Sequence, residues 1–83
     1  MSEPKSVKII YYAQLREQRE LSSEEVETCA ANLSHLYETL KSEHSFSLPE
    51  DQLRVAVNDE FCGFDQLIKS GDKIVFVPPV AGG

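Results

Sequence analysis

The stretch "KIVFVPPVAGG", Lys73 to Gly83, carries the strongest strand signal in the chain and, directly after it, the strongest stop. Lys73–Val77 is β-branched and aromatic, and Gly71 within "KSGDK" supplies a tight turn in front of it. Pro78 ends the strand, because a proline has no N–H to give to a ladder. Two prolines in succession favour a stiff, polyproline-like exit over a fold-back. The chain then finishes on Val80, Ala81, Gly82 and Gly83, small residues where a free end is usually polar. The ending is either an accident of the terminus or its working part.

Upstream, "VKIIYYA" (Val7–Ala13) predicts a first strand, with Val7, Ile9 and Tyr11 on one face and Lys8, Ile10 and Tyr12 on the other. "QLREQRE" after it is helix-favouring and turn-compatible. Glu25–Ala30 predicts a short second strand of weak propensity. From Asn32 the period changes: Leu33, Leu36, Tyr37 and Leu40 follow an i, i+3, i+4, i+7 stripe, with Asn32 placed to cap the first turn and an end near His44. Pro49 marks a loop, Leu53–Val57 a strand, Asn58-Asp59 a turn and Glu60–Gly63 a short returning strand. The expected order is strand, strand, helix, strand, short strand, strand.

One sheet with one main helix is a two-layer α+β arrangement, in which the helix covers one sheet face. If Val7, Ile9 and Tyr11 pack under the helix with Ile74 and Phe76, then Ile10, Tyr12, Val75, Val77 and Phe61 face outward. A solvated face reads polar at such positions. An apolar cluster at the root of the tail reads as a protein-binding patch, against the ordinary scatter of surface hydrophobes.

The 83 residues suffice for one modest core, so residues 1–77 are expected to form the domain and residues 78–83 an extended tail. A formal net charge of −6 without a Lys/Arg cluster opposes nucleic-acid and anionic-membrane partners and suits a basic protein partner. The chain lacks a membrane-length apolar run and a secretory-type start, so a cytoplasmic location is expected. Cys29 and Cys62 lack metal-type spacing, which predicts two buried thiols in a reducing compartment and no metal site.

The tail carries the chemistry. Without Cβ atoms, Gly82 and Gly83 can enter a channel too narrow for side chains. At about 3.3 Å per residue, the segment from Pro79 onward carries the carboxylate roughly 15 Å from the globule. A carboxylate is a poor electrophile, and the chain offers no phosphate loop, nucleophile–base pair or metal cluster to activate it. Activation then comes from a partner that uses ATP and Mg²⁺ to form an acyl-adenylate, which sulfur or an amine attacks. By chance alone a chain ends in Gly-Gly about 0.5% of the time, so the weight rests on the context of the dipeptide.

Two motifs add a resemblance. "YYAQLRE" (Tyr11–Glu17) and "GDKIVFVPPVAGG" (Gly71–Gly83) resemble the family of small, sulfur-carrier subunits of molybdopterin synthase, within the ubiquitin-like β-grasp superfamily. The match runs from about Val7 onward, and Met1–Ser6 is extra. The glycine often found after the Arg-Glu pair is replaced by the Ser22-to-Glu25 segment. The resemblance implies a mixed sheet of four to five strands on one main helix. It implies a non-catalytic chain whose Gly83, with Gly82 beside it, is adenylated by a ubiquitin-activating-like adenylyltransferase and becomes a thiocarboxylate. It also implies delivery of that sulfur to the large, catalytic synthase subunit, which builds the dithiolene of molybdopterin, in an assembly of two small and two large subunits. Partner contacts are implied at Tyr12, Phe61, Val77, Pro78, Pro79, Val80 and Ala81. Arg16 is implied as an ion-pair partner of the activating enzyme or, alternatively, a solvated arginine. A sulfur carrier for thiamin or tRNA thiolation, or a protein modifier, shares the fold and the Gly-Gly end but usually lacks the Pro-Pro.

Overall fold

The computed structural model describes residues 3–79. Its elements are β1 (Lys5–Tyr11), α1 (Ala13–Arg19), β2 (Ser23–Thr28), α2 (Leu33–His44), β3 (Arg54–Val57), β4 (Glu60–Cys62) and β5 (Lys73–Val77), with a 3-10 turn at Glu50–Gln52. The strands form one sheet in the order β2-β1-β5-β3-β4. β1 and β5 are parallel at its centre, and the other pairings are antiparallel. This is the α+β architecture expected from the periodicities.

The inner face forms because alternate residues of three strands are apolar. Val7, Ile9, Tyr11, Val55, Ile74 and Phe76 are buried against Leu33, Leu36, Tyr37 and Leu40 of α2. Aromatic rings fill the space between the layers, with Tyr37 at 5.2 Å from Phe76 and 6.1 Å from Phe46, centroid to centroid. The Tyr37 hydroxyl donates to the Leu48 carbonyl at 2.6 Å. Burial, and then the charge of Glu38, push its pKa up to about 12, so it remains a donor throughout the ordinary pH range. Asn32 caps α2 as its side-chain oxygen accepts the His35 N–H at 2.9 Å. The segment after β4 straps the same helix end: Leu33 N–H donates to Gln66 and Ser34 N–H to Phe64, which occupies backbone donors that a helix leaves unpaired.

The elements differ from the sequence reading in several limits: β3 begins at Arg54 in place of Leu53, β4 ends at Cys62 in place of Gly63, and larger differences lie in β1, α1 and β2. β1 begins at Lys5 and ends at Tyr11, because Tyr12 and Ala13 turn the chain into α1. α1 itself was not expected as an element. It spans 7 residues, buries only Leu15 and has no side-chain cap, so no apolar stripe announces it. β2 lies at Ser23–Thr28, not Glu25–Ala30, because pairing with β1 sets its limits against weak intrinsic propensity. The thiols also differ: Cys29 is exposed and Cys62 half-buried. Cys29 lies just past the end of β2, in the connection to α2, where none of the described residues covers it.

β2 is held by one polar cluster. Arg19 donates from Nε and Nη2 to the two oxygens of Glu24, each at 2.9 Å, and the buried Tyr11 hydroxyl donates to Glu24 Oε2 at 2.7 Å. The Arg19 hydrogen bonds, ahead of the Tyr11 one, hold the Glu24 carboxyl below its usual pKa. Burial and the Glu24 hydrogen bond raise that of Tyr11. A carboxyl with a lowered folded-state pKa contributes stability that is present above its ordinary value and lost as the pH falls through the lowered one. Glu24→Gln is therefore expected to cost about 2 kcal/mol at neutral pH. Urea melts between neutrality and acid pH are expected to show the variant approaching the parent as the pH drops below the ordinary carboxylate range.

Candidate functional site

The outer face of the sheet follows from the register. Ile10 pairs with Val75, Val75 with Ala56 and Ala56 with Phe61, so one apolar row crosses the sheet from β1 to β4. Toward the end of β5, Val77 pairs with Arg54, and Tyr12 follows directly on β1. Tyr12 is 48% and Phe61 66% exposed, while Ile10, Val75 and Val77 are half-buried. The row beyond, toward the start of β5, turns polar with Lys8 and Lys73. The apolar patch is thus confined to the part of the face at the end of β5.

Tyr12 is presented by a backbone in extended conformation (φ −128°, ψ 154°) at the N-cap of α1, and its carbonyl accepts the Leu15 and Arg16 N–H groups. Phe61 stands on a three-residue strand joined to β3 by Asn58 and Asp59. Both of these have left-handed φ values, 52° and 74°, the geometry of a tight hairpin turn that Asn and Asp tolerate. That turn is fixed from below. Asn58 donates through Nδ2 to Asp72 Oδ1 at 3.0 Å and accepts the Lys73 N–H through Oδ1, and Asp72 also accepts the Lys69 N–H at 2.8 Å. The Gly71-Asp72 turn that opens β5 therefore also sets the hairpin that carries Phe61. Gly71 needs φ 93° there, which a side chain would strain.

Arg54 is a member of this face that sequence reasoning missed. Its guanidinium lies 5.3 Å from the centroid of the Phe61 ring, and it is the cross-strand neighbour of Val77. The available signal was alternation along β3, which puts Arg54 on the same side as Ala56. Arg16 is exposed on α1 and makes no ion pair among the described residues. Cys62 faces the core side beside Val55, and burial, followed by the charge of Asp65, raises its pKa, which keeps the thiol protonated and weakly nucleophilic. Among the described residues no group of three or more His, Cys, Asp or Glu is arranged to hold a metal ion, and no helix is long and apolar enough to cross a membrane.

At the root of the tail, Pro78 is buried and Pro79 exposed. The sequence-derived positions Val80, Ala81, Gly82 and Gly83 lie outside the described residues. The structure thus brings Tyr12, Phe61 and Val77 onto one face and leads the chain out from the edge of it, with Arg16 on the adjoining helix.

Comparison with known proteins fits this arrangement. The model of the ThiS family matches residues 9–83. The chain is 29% identical to the molybdopterin synthase sulfur carrier subunit of Escherichia coli over 80 residues, which is 93% of this chain and 99% of that one. The structure is similar to that of a putative molybdopterin converting factor subunit 1 from Pyrococcus furiosus, with TM-score 0.76, 30% identity and coverage of 92% and 99% of the two chains. It is also similar in fold to a chain in the complex of subunits 1 and 2 of molybdopterin-converting factor from Helicobacter pylori, with TM-score 0.65, 22% identity and coverage of 94% and 99%. With a family match that begins inside β1 and runs to the last residue, on a five-stranded mixed sheet of ubiquitin-like β-grasp type, this chain belongs to the ThiS family.

Proposed function

We propose that the chain is the sulfur-carrier subunit of a molybdopterin synthase, acting in the cytoplasm in molybdenum cofactor biosynthesis and catalysing nothing by itself. The observation that carries this reading is the coincidence of two things. Relatives named as molybdopterin synthase sulfur carrier subunits align over nearly the whole chain, and the apolar patch of Tyr12, Phe61 and Val77 lies at the end of β5, the last strand.

In this reading a ubiquitin-activating-like adenylyltransferase binds the domain and supplies ATP and Mg²⁺. A Gly83 carboxylate oxygen attacks the α-phosphorus, releasing pyrophosphate and leaving an acyl-adenylate. Sulfide-level sulfur, as HS⁻ from the donor, then adds to the carbonyl, expels AMP and loses its proton, leaving a thiocarboxylate. Gly82 keeps the approach narrow, and Pro79, Val80 and Ala81 occupy the partner's channel, whereas Pro78, expected from the sequence as a partner contact, is buried in the domain itself. The thiocarboxylate is ionised near neutrality and soft, which suits attack on a carbon of the pterin precursor held by the large subunit, where the C–S bond forms as an oxygen substituent leaves. Hydrolysis of the resulting link returns the carboxylate for another round. The large subunit covers Tyr12, Phe61 and Val77, in a complex of two small and two large subunits, and Arg16 pairs with an acidic group of the activating enzyme. The Helicobacter pylori complex of the two subunit types supports such a pairing.

Intact mass after incubation with the activating enzyme, ATP and a sulfur donor tests the reading. One oxygen-to-sulfur exchange at the C-terminus is expected, and formation of molybdopterin when large subunit and precursor are added. An unchanged mass refutes the carrier role. Sulfur loading without molybdopterin formation, in the presence of a competent large subunit, favours a thiamin or tRNA sulfur carrier. Deletion of Gly83, or a bulky residue in place of Gly82, is expected to abolish transfer and leave the circular-dichroism melt unchanged.

The docking patch is tested separately. Tyr12→Asp and Phe61→Asp each place a charge where apolar contact is needed and are expected to weaken large-subunit binding about tenfold or more by calorimetry. Both side chains are exposed, so the stability of the free domain is expected to change by less than about 1 kcal/mol. Parental affinity in both variants would remove the patch from the interface.

A further inference from the structure

The sheet order leaves two edges, and the one at β2 has no part in the reading above. Its outward backbone groups follow from the ladder. The Tyr11 N–H donates to the Ser22 carbonyl at 2.9 Å. In an antiparallel pair, hydrogen-bonded residue pairs alternate with non-bonded ones. Along the register from Tyr11–Ser22, the bonded pairs are therefore Ile9–Glu24, Val7–Val26 and Lys5–Thr28, and the non-bonded pairs are Ile10–Ser23, Lys8–Glu25 and Ser6–Glu27. The β5 side agrees: Lys8 N–H donates to Asp72 and the Ser6 carbonyl accepts from Gly71, so these groups are turned away from β2. Ser23, Glu25 and Glu27 consequently aim their N–H and C=O groups out of the sheet, and nothing among the described residues pairs with them.

This edge is a ready template. Its register is continuous, without a bulge, and Ser23–Thr28 contains no proline, so nothing in it blocks an added strand. Beside it runs a groove of about 520 Å³ between the end of β2 and the flank of α2, lined by Glu27, Cys29, His35, Glu38 and Thr39 among others. Glu25, Glu27 and Glu38 are exposed, whereas Glu24 is occupied by Arg19 and Tyr11. Lys8 stands opposite Glu25 in the register but forms no ion pair with it.

We propose that the β2 edge binds an extended segment of a basic partner protein, added to the sheet as a further strand with lysine or arginine at alternate positions. Backbone hydrogen bonds to Ser23, Glu25 and Glu27 supply the register. Alternate side chains of the incoming strand share a face with Glu25 and Glu27, and the others sit over the groove toward Glu38. The same carboxylates argue against a second copy of this chain, because edge-to-edge pairing sets Glu against Glu, and like charges placed opposite each other destabilise a strand pair. The added strand lies along the rim of the sheet and leaves Tyr12, Val77 and Phe61 uncovered, so this site and the apolar patch can be engaged together.

The test is an NMR titration of the ¹⁵N-labelled chain with a capped alternating Lys-Val hexapeptide and with its Glu-Val counterpart. The Lys-Val peptide is expected to shift the amides of Ser23–Thr28 and of the α2 residues His35, Glu38 and Thr39. It is also expected to slow exchange of the Ser23, Glu25 and Glu27 amides by about tenfold or more, with binding that weakens in high salt. The double variant Glu25→Lys/Glu27→Lys, altered only at exposed positions, is expected to reverse the preference to the Glu-Val peptide. Shifts without added protection of those three amides, shifts centred on Phe61, equal binding of both peptides or no binding at millimolar peptide each overturn the proposal. So does sedimentation showing the parent chain dimerising through β2.

Discussion

The parallel pairing of β1 with β5 is the constraint on which the rest of the molecule depends. It joins the first strand to the last, with Ile9 beside Ile74 and Tyr11 beside Phe76, and a parallel pair of this kind requires the chain to cross from one end of the sheet to the other between them. Everything from α1 to the Gly71 turn lies within that crossing. Because the two strands run the same way, they end at the same side of the sheet, and Tyr12 and Val77 emerge side by side. An antiparallel pairing would have put Val77 and Pro78 at the far end from Tyr12 and divided the apolar patch.

Two polar clusters hold the flanks of that central pair. On one side Arg19, Glu24 and Tyr11 tie α1 and β2 to β1, and on the other Asp72 and Asn58 tie the start of β5 to the β3–β4 hairpin. Each cluster uses a carboxylate to satisfy several donors at once, which makes it geometrically demanding in a way apolar packing is not. The short elements α1 and β4 bury too little to place themselves, and these clusters do it for them. The exposed Phe61 ring therefore stands on a strand whose position is set by hydrogen bonds in a neighbouring turn, while its own side chain meets only the Arg54 guanidinium on one side and is largely exposed.

Much of this was legible in the sequence, for physical reasons. The α2 stripe and the alternation in β1 and β5 mark residues that must be buried, and Leu33, Leu36, Tyr37, Leu40, Val7, Ile9, Ile74 and Phe76 are buried. The outward placement of Phe61 and Tyr12 came from the same alternation. What stayed hidden has a common cause. α1 has one buried residue and no cap, and β2 consists largely of residues with little liking for strands. These features are fixed by partners distant in sequence, and a local reading has no access to them. The exposure of Cys29 belongs with them, since it depends on where β2 stops.

The burial of Pro78 has a mechanical meaning. The chain leaves the sheet through a residue whose φ is locked by its ring and whose body is packed into the globule, so the exit at Pro78 is fixed relative to β5. A swivel at that point would let the end sweep a wide cone and scatter its collisions. A clamped joint makes the step from Pro78 to Pro79 turn with the domain, so the direction in which the chain leaves β5 is a property of the sheet.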